Sequence, residues 1–295
     1  MRLDLSFGGL AMHGPGSGGG GGAPTRPFFA LSDDVVSVGH SFLSFPQVAA
    51  LEGTADNGSG AIYDLEARNG WTGDVWLSFL GYGRLAQLWA RNGIDRTDTS
   101  QAAFAFWFTE FGDIGTGMMF APNSSEGIAG LQAAFSYAVT MQARGARAIF
   151  FMGPHPVEAL PGSTDASNLG VCQYTVDWLT ARPEITVPVY MLPCLPIVRN
   201  WQTYMGGGSV YSDGLHLKQT NNAGPGNSAA LAVSYAMRYM MTGVRFTPGG
   251  AGVELTQFLS IAYDVCDAYA CAGLGGVTTI APWVGSDPLP SPQMP

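Results

Sequence analysis

A chain of 295 residues, 46% of them hydrophobic, is long enough to bury one large core. Its 13 Lys and Arg against 22 Asp and Glu leave a net charge of -9 with no basic cluster, which excludes nucleic acid as an expected partner. Only 12% of residues are charged while Gly reaches 41 and Pro 19, so the surface is expected to be rich in long polar loops suited to an uncharged ligand.

The chain opens on Met1-Arg2-Leu3-Asp4-Leu5, where one basic residue is followed by an acid and no long apolar run, so no secretory signal is expected here. No stretch approaches the roughly 20 apolar residues that span a bilayer. A soluble protein without a membrane span is therefore expected, with its compartment left open. Gly14 to Pro27 contains the run Gly18 to Gly22, cannot pack, and reads as a flexible linker through which the body could be tethered to a larger assembly.

Four apolar runs then read as buried parallel strands: Val35–Val38, Ala103–Phe108, Arg147–Met152 and Val187–Leu192. Helical patterns lie between them. Ile128, Leu131, Phe135, Ala138 and Val139 fall on one face, with Asn123 and Glu126 as a capping pair and Gly145 at the expected stop. Ala229, Val233, Ala236, Met237 and Met240 form a second stripe. Beyond Thr242 the pattern weakens: Val253 to Ala272 suits one more helix, and Ser286 to Pro295 an extended tail. The expected organisation is an N-terminal segment with its linker (1–30), one catalytic domain (31–243) and a C-terminal extension (244–295). Cys172, Cys194, Cys266 and Cys271 show no C-x-x-C pair, and no two His stand at metal spacing, so buried thiols or one incidental disulfide are expected, and no metal site.

Strands alternating with helices predict an α/β fold with a parallel sheet covered on both faces and ligands at the carboxyl ends of the strands. Ser41 follows such an end, in Gly39-His40-Ser41-Phe42. Much later comes Ser212-Asp213-Gly214-Leu215-His216-Leu217. A serine after a buried strand and a distant Asp-x-x-His pair supply nucleophile, base and orienting carboxylate. One loop carrying both Asp213 and His216 can set the imidazole against the serine hydroxyl while the carboxylate holds the other ring nitrogen.

Two architectures use such residues. Gly39-His40-Ser41 begins like the G-x-S-x-G elbow of the α/β-hydrolases, but position 43 is Leu and the serine follows the first strand. From about Val35 to Met241 the chain resembles instead the SGNH (GDSL-like) hydrolases, in which the serine follows the first strand and Asp-x-x-His precedes the last helix. The first block is commonly Gly-Asp-Ser and here reads Gly39-His40-Ser41; the last is matched by Asp213, Gly214, His216 and Leu217. The resemblance implies a three-layer, flavodoxin-like α/β sandwich and a cofactor-free serine esterase with Ser41 as nucleophile, His216 as base and Asp213 as its partner. Its oxyanion hole would use the Ser41 amide and a second-block glycine, Gly58 or Gly60. The third block normally ends in Gly-x-Asn-Asp, whereas Thr109-Glu110-Phe111-Gly112-Asp113 stands here, so Glu110 occupies the place of the asparagine donor. An ionised Glu110 would repel an oxyanion; a carboxyl kept neutral by burial could donate to it.

Around this set, His155, Trp201 and Tyr204 are candidate substrate contacts, the last two in the loop before Asp213, and Trp71, Trp76 and Trp107 are further candidates for stacking on sugar rings or for core packing. His40 is expected to pack or to make a supporting hydrogen bond, and His13 to be incidental. The family includes many carbohydrate O-deacetylases, which together with the polar composition makes an acetylated glycan the leading substrate class. The alternatives are a lipid or lysophospholipid esterase, with Phe42, Leu43 and Phe45 lining an acyl channel, and a catalytically weak structural or glycan-binding module of a larger assembly such as a virus particle.

Overall fold

The computed structural model describes residues 29–39, 75–79, 104–109, 112–113, 118–153, 165–211, 217, 229–247 and 252–268. In chain order the described elements are β1 (Asp34–Gly39), β2 (Val75–Phe79), β3 (Phe104–Thr109), β4 (Gly112–Asp113), β5 (Met118–Met119), α1 (Ser125–Ala143), β6 (Ala146–Met152), α2 (Asp165–Thr180), β7 (Val189–Leu192), α3 (Cys194–Tyr204), α4 (Ala229–Thr242) and α5 (Val253–Ala268). Five strands form one parallel sheet in the order β2-β1-β3-β6-β7, and β4 and β5 make a separate antiparallel pair.

Apolar runs this continuous are what a sheet covered on both faces requires. Successive strand residues point to opposite faces, and two cores result. Val35, Ala105, Ala148, Phe150 and Met152 belong to one; Val36, Val38, Phe108, Ile149 and Phe151 belong to the other. The first is completed by α3, α4 and α5 through Ile197, Trp201, Val233, Met237, Phe258 and Ala262. The second is completed by α1 and α2, including Leu131, Phe135, Val176 and Leu179. Phe108 stacks on Phe151 at 4.8 Å, and Phe135 meets Trp178 edge-on at 6.2 Å where α1 and α2 touch. Phe108, Phe135, Phe150 and Phe151 are fully buried, each contributing roughly 1.5–3 kcal/mol by transfer from water.

β1, β3, β6 and β7 coincide with the four expected strands to within two residues at each end. β2 was not among those expectations; its run Val75-Trp76-Leu77-Ser78-Phe79 is short, interrupted by Ser78, and forms the edge of the described sheet next to β1. The start of α1 also differs from expectation. Its N-cap is Ser124, whose Oγ accepts the Gly127 N–H at 3.0 Å, rather than Asn123. Glu126 does not complete a capping box with Asn123: its carboxylate accepts from the Ser125 hydroxyl at 2.7 Å. The helix stops at Ala143 with Arg144 as its C-cap, followed by Gly145 as anticipated.

The first turn of α1 is also a point of close approach. A Cβ at Gly127 would lie 2.0 Å from the Ala121 carbonyl oxygen, a backbone atom that no rotamer change can move aside. Alanine's helix preference over glycine is worth about 1 kcal/mol, whereas forcing atoms into an occupied site costs about 1–3 kcal/mol or more. Gly127→Ala is therefore expected to lower the urea midpoint with an unchanged denaturant slope; a midpoint equal to or above wild type would show that the Ala121 turn gives way freely.

α5 comes from the segment expected as a C-terminal extension, yet Phe258, Leu259, Ala262, Tyr263, Val265 and Cys266 lie in the same core as the sheet and α4. Polar contacts fix it there. The Tyr239 hydroxyl donates to Asp267 Oδ1 at 2.6 Å, and Arg245 pairs with Asp264 at 2.9 Å and with Asp267. The Tyr263 hydroxyl donates to the Phe246 carbonyl at 2.5 Å and accepts the Phe246 N–H at 3.2 Å. Burial pushes the Tyr263 hydroxyl up to about 12, so it keeps the proton it donates at neutral pH. The Arg238 guanidinium lies 4.0 Å from the centre of the Phe246 ring.

At the other end of the described chain, Phe29 is buried against Phe150, and its N–H donates to the Met241 carbonyl at 3.0 Å. Asp33 accepts from the Ala30 N–H and pairs with Arg147, whose guanidinium also covers the Phe29 ring. Cys172, Cys194 and Cys266 are buried thiols that take part in no disulfide; Cys271 lies outside the described residues. Among the described residues no helix is long and apolar enough to cross a membrane.

Candidate active site

The chain runs from β1 to β2 on one side and reaches β3 on the other, so β1 and β3 flank the point where the strand order reverses. In open parallel sheets the crevice beyond the carboxyl ends at that point is where ligands bind. The pairing register defines this edge. Gly39 lies opposite Phe79, Val38 opposite Phe108, Thr109 opposite Met152, and Met152 opposite Leu192. One further contact ties β6 to β7 past the last pair: the Gly153 N–H donates to the Leu192 carbonyl at 3.0 Å. A Cβ at Gly153 would lie 2.9 Å from that same oxygen, so the approach is one that glycine permits.

Ser41, Gly58, Gly60, Glu110, His155, Asp213 and His216 lie outside the described residues. Their neighbours in the chain are described. Ser41 comes two residues after Gly39, Glu110 directly after Thr109, and His155 two residues after Gly153. Asp213 and His216 fall between Tyr211 and Leu217, which pair through an isolated antiparallel bridge. Both anchors are buried and belong to the same core as Met152 and Leu192. The Tyr211 N–H also donates to Ser209 Oγ at 3.2 Å, which fixes the approach to the bridge.

The expected ligand contacts Trp201 and Tyr204 are on helix α3, not in a loop. Trp201 is fully buried, stacked on Phe258 at 4.4 Å and on Tyr204 at 5.2 Å. It is a core residue with no ring surface open to a sugar, which corrects its assignment as a substrate contact. Tyr204 is 50% exposed and keeps an open ring surface. Trp71 lies outside the described residues, while Trp76 and Trp107 belong to β2 and β3.

Two polar links near the carboxyl edge were not legible as motifs. Arg199 on α3 grips Asp165 at the start of α2 with two nitrogens, Nε to Oδ2 at 2.9 Å and Nη2 to Oδ1 at 3.3 Å, and its Nη1 donates to Gln202 at 3.1 Å. Such forked pairing adds geometric definition to charge attraction. Asn168 on α2 accepts the Met119 N–H at 3.1 Å in a buried setting. Each link joins residues distant in sequence, and a single arginine or asparagine carries no local signal of its partner.

Neither a family model nor a curated protein matches the chain. Among solved structures, a DUF4886 family protein from Bacteroides uniformis ATCC 8492, determined at 1.50 Å resolution, is similar with a TM-score of 0.50. The likeness is one of fold. Sequence identity is 11%, over 79% of this chain and 94% of that one, and it agrees with an α/β arrangement of helices and parallel strands.

Proposed function

We propose that the chain is a serine esterase of the SGNH type, built on a flavodoxin-like three-layer sandwich, that removes acetyl groups from a glycan. What supports this reading is the order of the two sequence blocks along the fold, one directly after β1 and the other between the bridged residues Tyr211 and Leu217, ahead of α4. Gly39 ends a strand at the topological switch, and two further residues carry the chain at most about 7 Å to Ser41. The Asp213 and His216 block falls in sequence between Tyr211 and Leu217, a bridged pair of buried residues in one of the two cores of the sheet.

In this reading His216 takes the Ser41 hydroxyl proton as the serine attacks the ester carbonyl, and returns it to the leaving alcohol. Asp213 holds the imidazole in the tautomer that can accept. The amides of Ser41 and of Gly58 or Gly60 receive the oxyanion, and a neutral Glu110 donates where the resembling family uses asparagine. Water then repeats the cycle on the acyl-enzyme. No step requires a cofactor. The low charge and polar loops favour an uncharged carbohydrate as the alcohol, and the exposed ring of Tyr204 is the described aromatic surface suited to it.

Acyl-length selectivity tests the substrate class. Acetyl esters are expected to exceed octanoyl esters in kcat/KM, and an O-acetylated polysaccharide is expected to release acetate. A channel that takes long chains would gain about 0.8 kcal/mol for each methylene it buries. A steady rise from acetyl to octanoyl, with no acetate from acetylated glycans, would replace this reading with the lipid esterase. A folded protein that binds glycan without turnover on either class would replace it with a binding module, held to a larger assembly by the Gly-rich segment.

A further inference from the structure

The β4–β5 pair matches only two residues on each strand, Gly112 with Met119 and Asp113 with Met118. A two-stranded ribbon is marginal in water by itself. Here a helix side chain supplies what a third strand would: Asn168 Oδ1 accepts the Met119 N–H at 3.1 Å. Asn168 is 1% exposed and Met119 is 7% exposed. Asparagine is a poor helix former, and a buried carboxamide is costly unless its hydrogen bonds are made. For packing alone, an apolar residue in α2 would serve better.

What the bond holds is informative. Gly112, opposite Met119, stands three residues after Thr109, the last residue of β3, which is itself paired with Met152. Thr109 is thus held by the sheet, and Gly112 by a strand pair anchored on α2. We propose that Asn168 is a positioning residue of the esterase site: by accepting the Met119 N–H it fixes the β4–β5 pair and with it Gly112, two residues after Glu110. The proposal rests on the esterase reading, in which Glu110 donates to the oxyanion. Donors of this kind must be held to within about 0.5 Å of the productive geometry, and a displacement of 1 Å can cost about 100-fold in rate.

The test uses the full chain, a fluorophosphonate probe and a short activated acetyl ester. Wild type is expected to be labelled at Ser41. Asn168→Ala is expected to remain folded by circular dichroism, to exchange its Met119 amide hydrogen faster, and to lose about 10–100-fold in kcat with KM within roughly twofold. Asn168→Asp keeps an acceptor oxygen and is expected to recover most of kcat. Should Asn168→Ala fail to fold, Asn168→Ser, whose hydroxyl is too short to reach Met119, is expected to give the same split. Faster Met119 exchange with kcat within twofold of wild type, in either variant, would make Asn168 merely structural and overturn the proposal while the esterase reading stands. An unlabelled, inactive wild type would overturn both.

Discussion

If the chain is the proposed esterase, Ser41→Ala is expected to lower turnover of a short activated acetyl ester by roughly 10³–10⁶-fold and to leave the thermal unfolding transition where it was. The size of the loss follows from the role: without the hydroxyl no acyl-enzyme forms, and only binding and the oxyanion donors remain to act on attack by water. His216→Ala is expected to fall by a similar factor, and the double variant to be little worse than either single one, because nucleophile and base act as a unit. Asp213→Asn keeps the base in a poorer orientation and retains part of the activity. In the proposed mechanism His216 accepts the proton only when neutral, so kcat/KM is expected to rise along one limb with increasing pH and then level off; free histidine side chains titrate at about 6.5. Steady-state kinetics and peptide mapping of the fluorophosphonate adduct check these outcomes. A label on another serine, or near-normal turnover in His216→Ala, would dismantle the assignment.

Trp201→Ala is expected to be the most destabilising single change among the described residues. Its ring is fully buried, stacked on Phe258 of α5 and on Tyr204. Truncating a buried tryptophan to alanine costs about 3–5 kcal/mol, a large share of the 5–15 kcal/mol by which a typical domain is stable. For a chain of this size the melting temperature should fall on the order of 10 °C. Trp201→Phe, which keeps an aromatic plane against Phe258, should lose much less. A scanning calorimetry trace shifted by only a degree or two, together with weakened glycan binding, would instead return Trp201 to the ligand.

The sheet was legible because each of its expected strands is apolar on both sides. Val35 and Val36 face different cores, as do Phe150 and Phe151, and a run without polar alternation is the signature of that burial. β2 escaped because five residues at a sheet edge, with Ser78 among them, do not stand out from the Gly- and Trp-rich sequence around them. The cap of α1 shifted by one residue because Asn123 and Ser124 are both good N-caps, and the choice depends on which side chain meets the Gly127 N–H. Trp201 was misread for a different reason. The glycines at 206 to 208 suggest a loop, and nothing local reveals that Phe258, on a distant helix, closes over the indole.

Of the candidate site, whose proposed catalytic side chains lie outside the described residues, the structure bears only on the order of the elements. Ser41 after the first strand and Asp213 with His216 before the last sheet-associated helix agree with where β1 ends and α4 begins. The polar links made by α2 were not legible. Arg199 with Asp165, and Asn168 with Met119, are pairs made by the packing of α2 against its neighbours, and their spacing follows no period along the chain.

The anchoring of Phe29 decides how the protein responds to force. The N-terminal segment joins the body where Phe29 is hydrogen-bonded to Met241 and Asp33 is paired with Arg147, and it then feeds directly into β1, an interior strand bonded to β2 on one side and β3 on the other. Tension along that segment, opposed at the carboxyl edge, pulls β1 lengthwise in shear. Its ladder bonds on both flanks must then break together rather than one at a time. A load entering at Phe29 would thus meet both ladders of β1 at once, a geometry that resists more than peeling an edge strand such as β2.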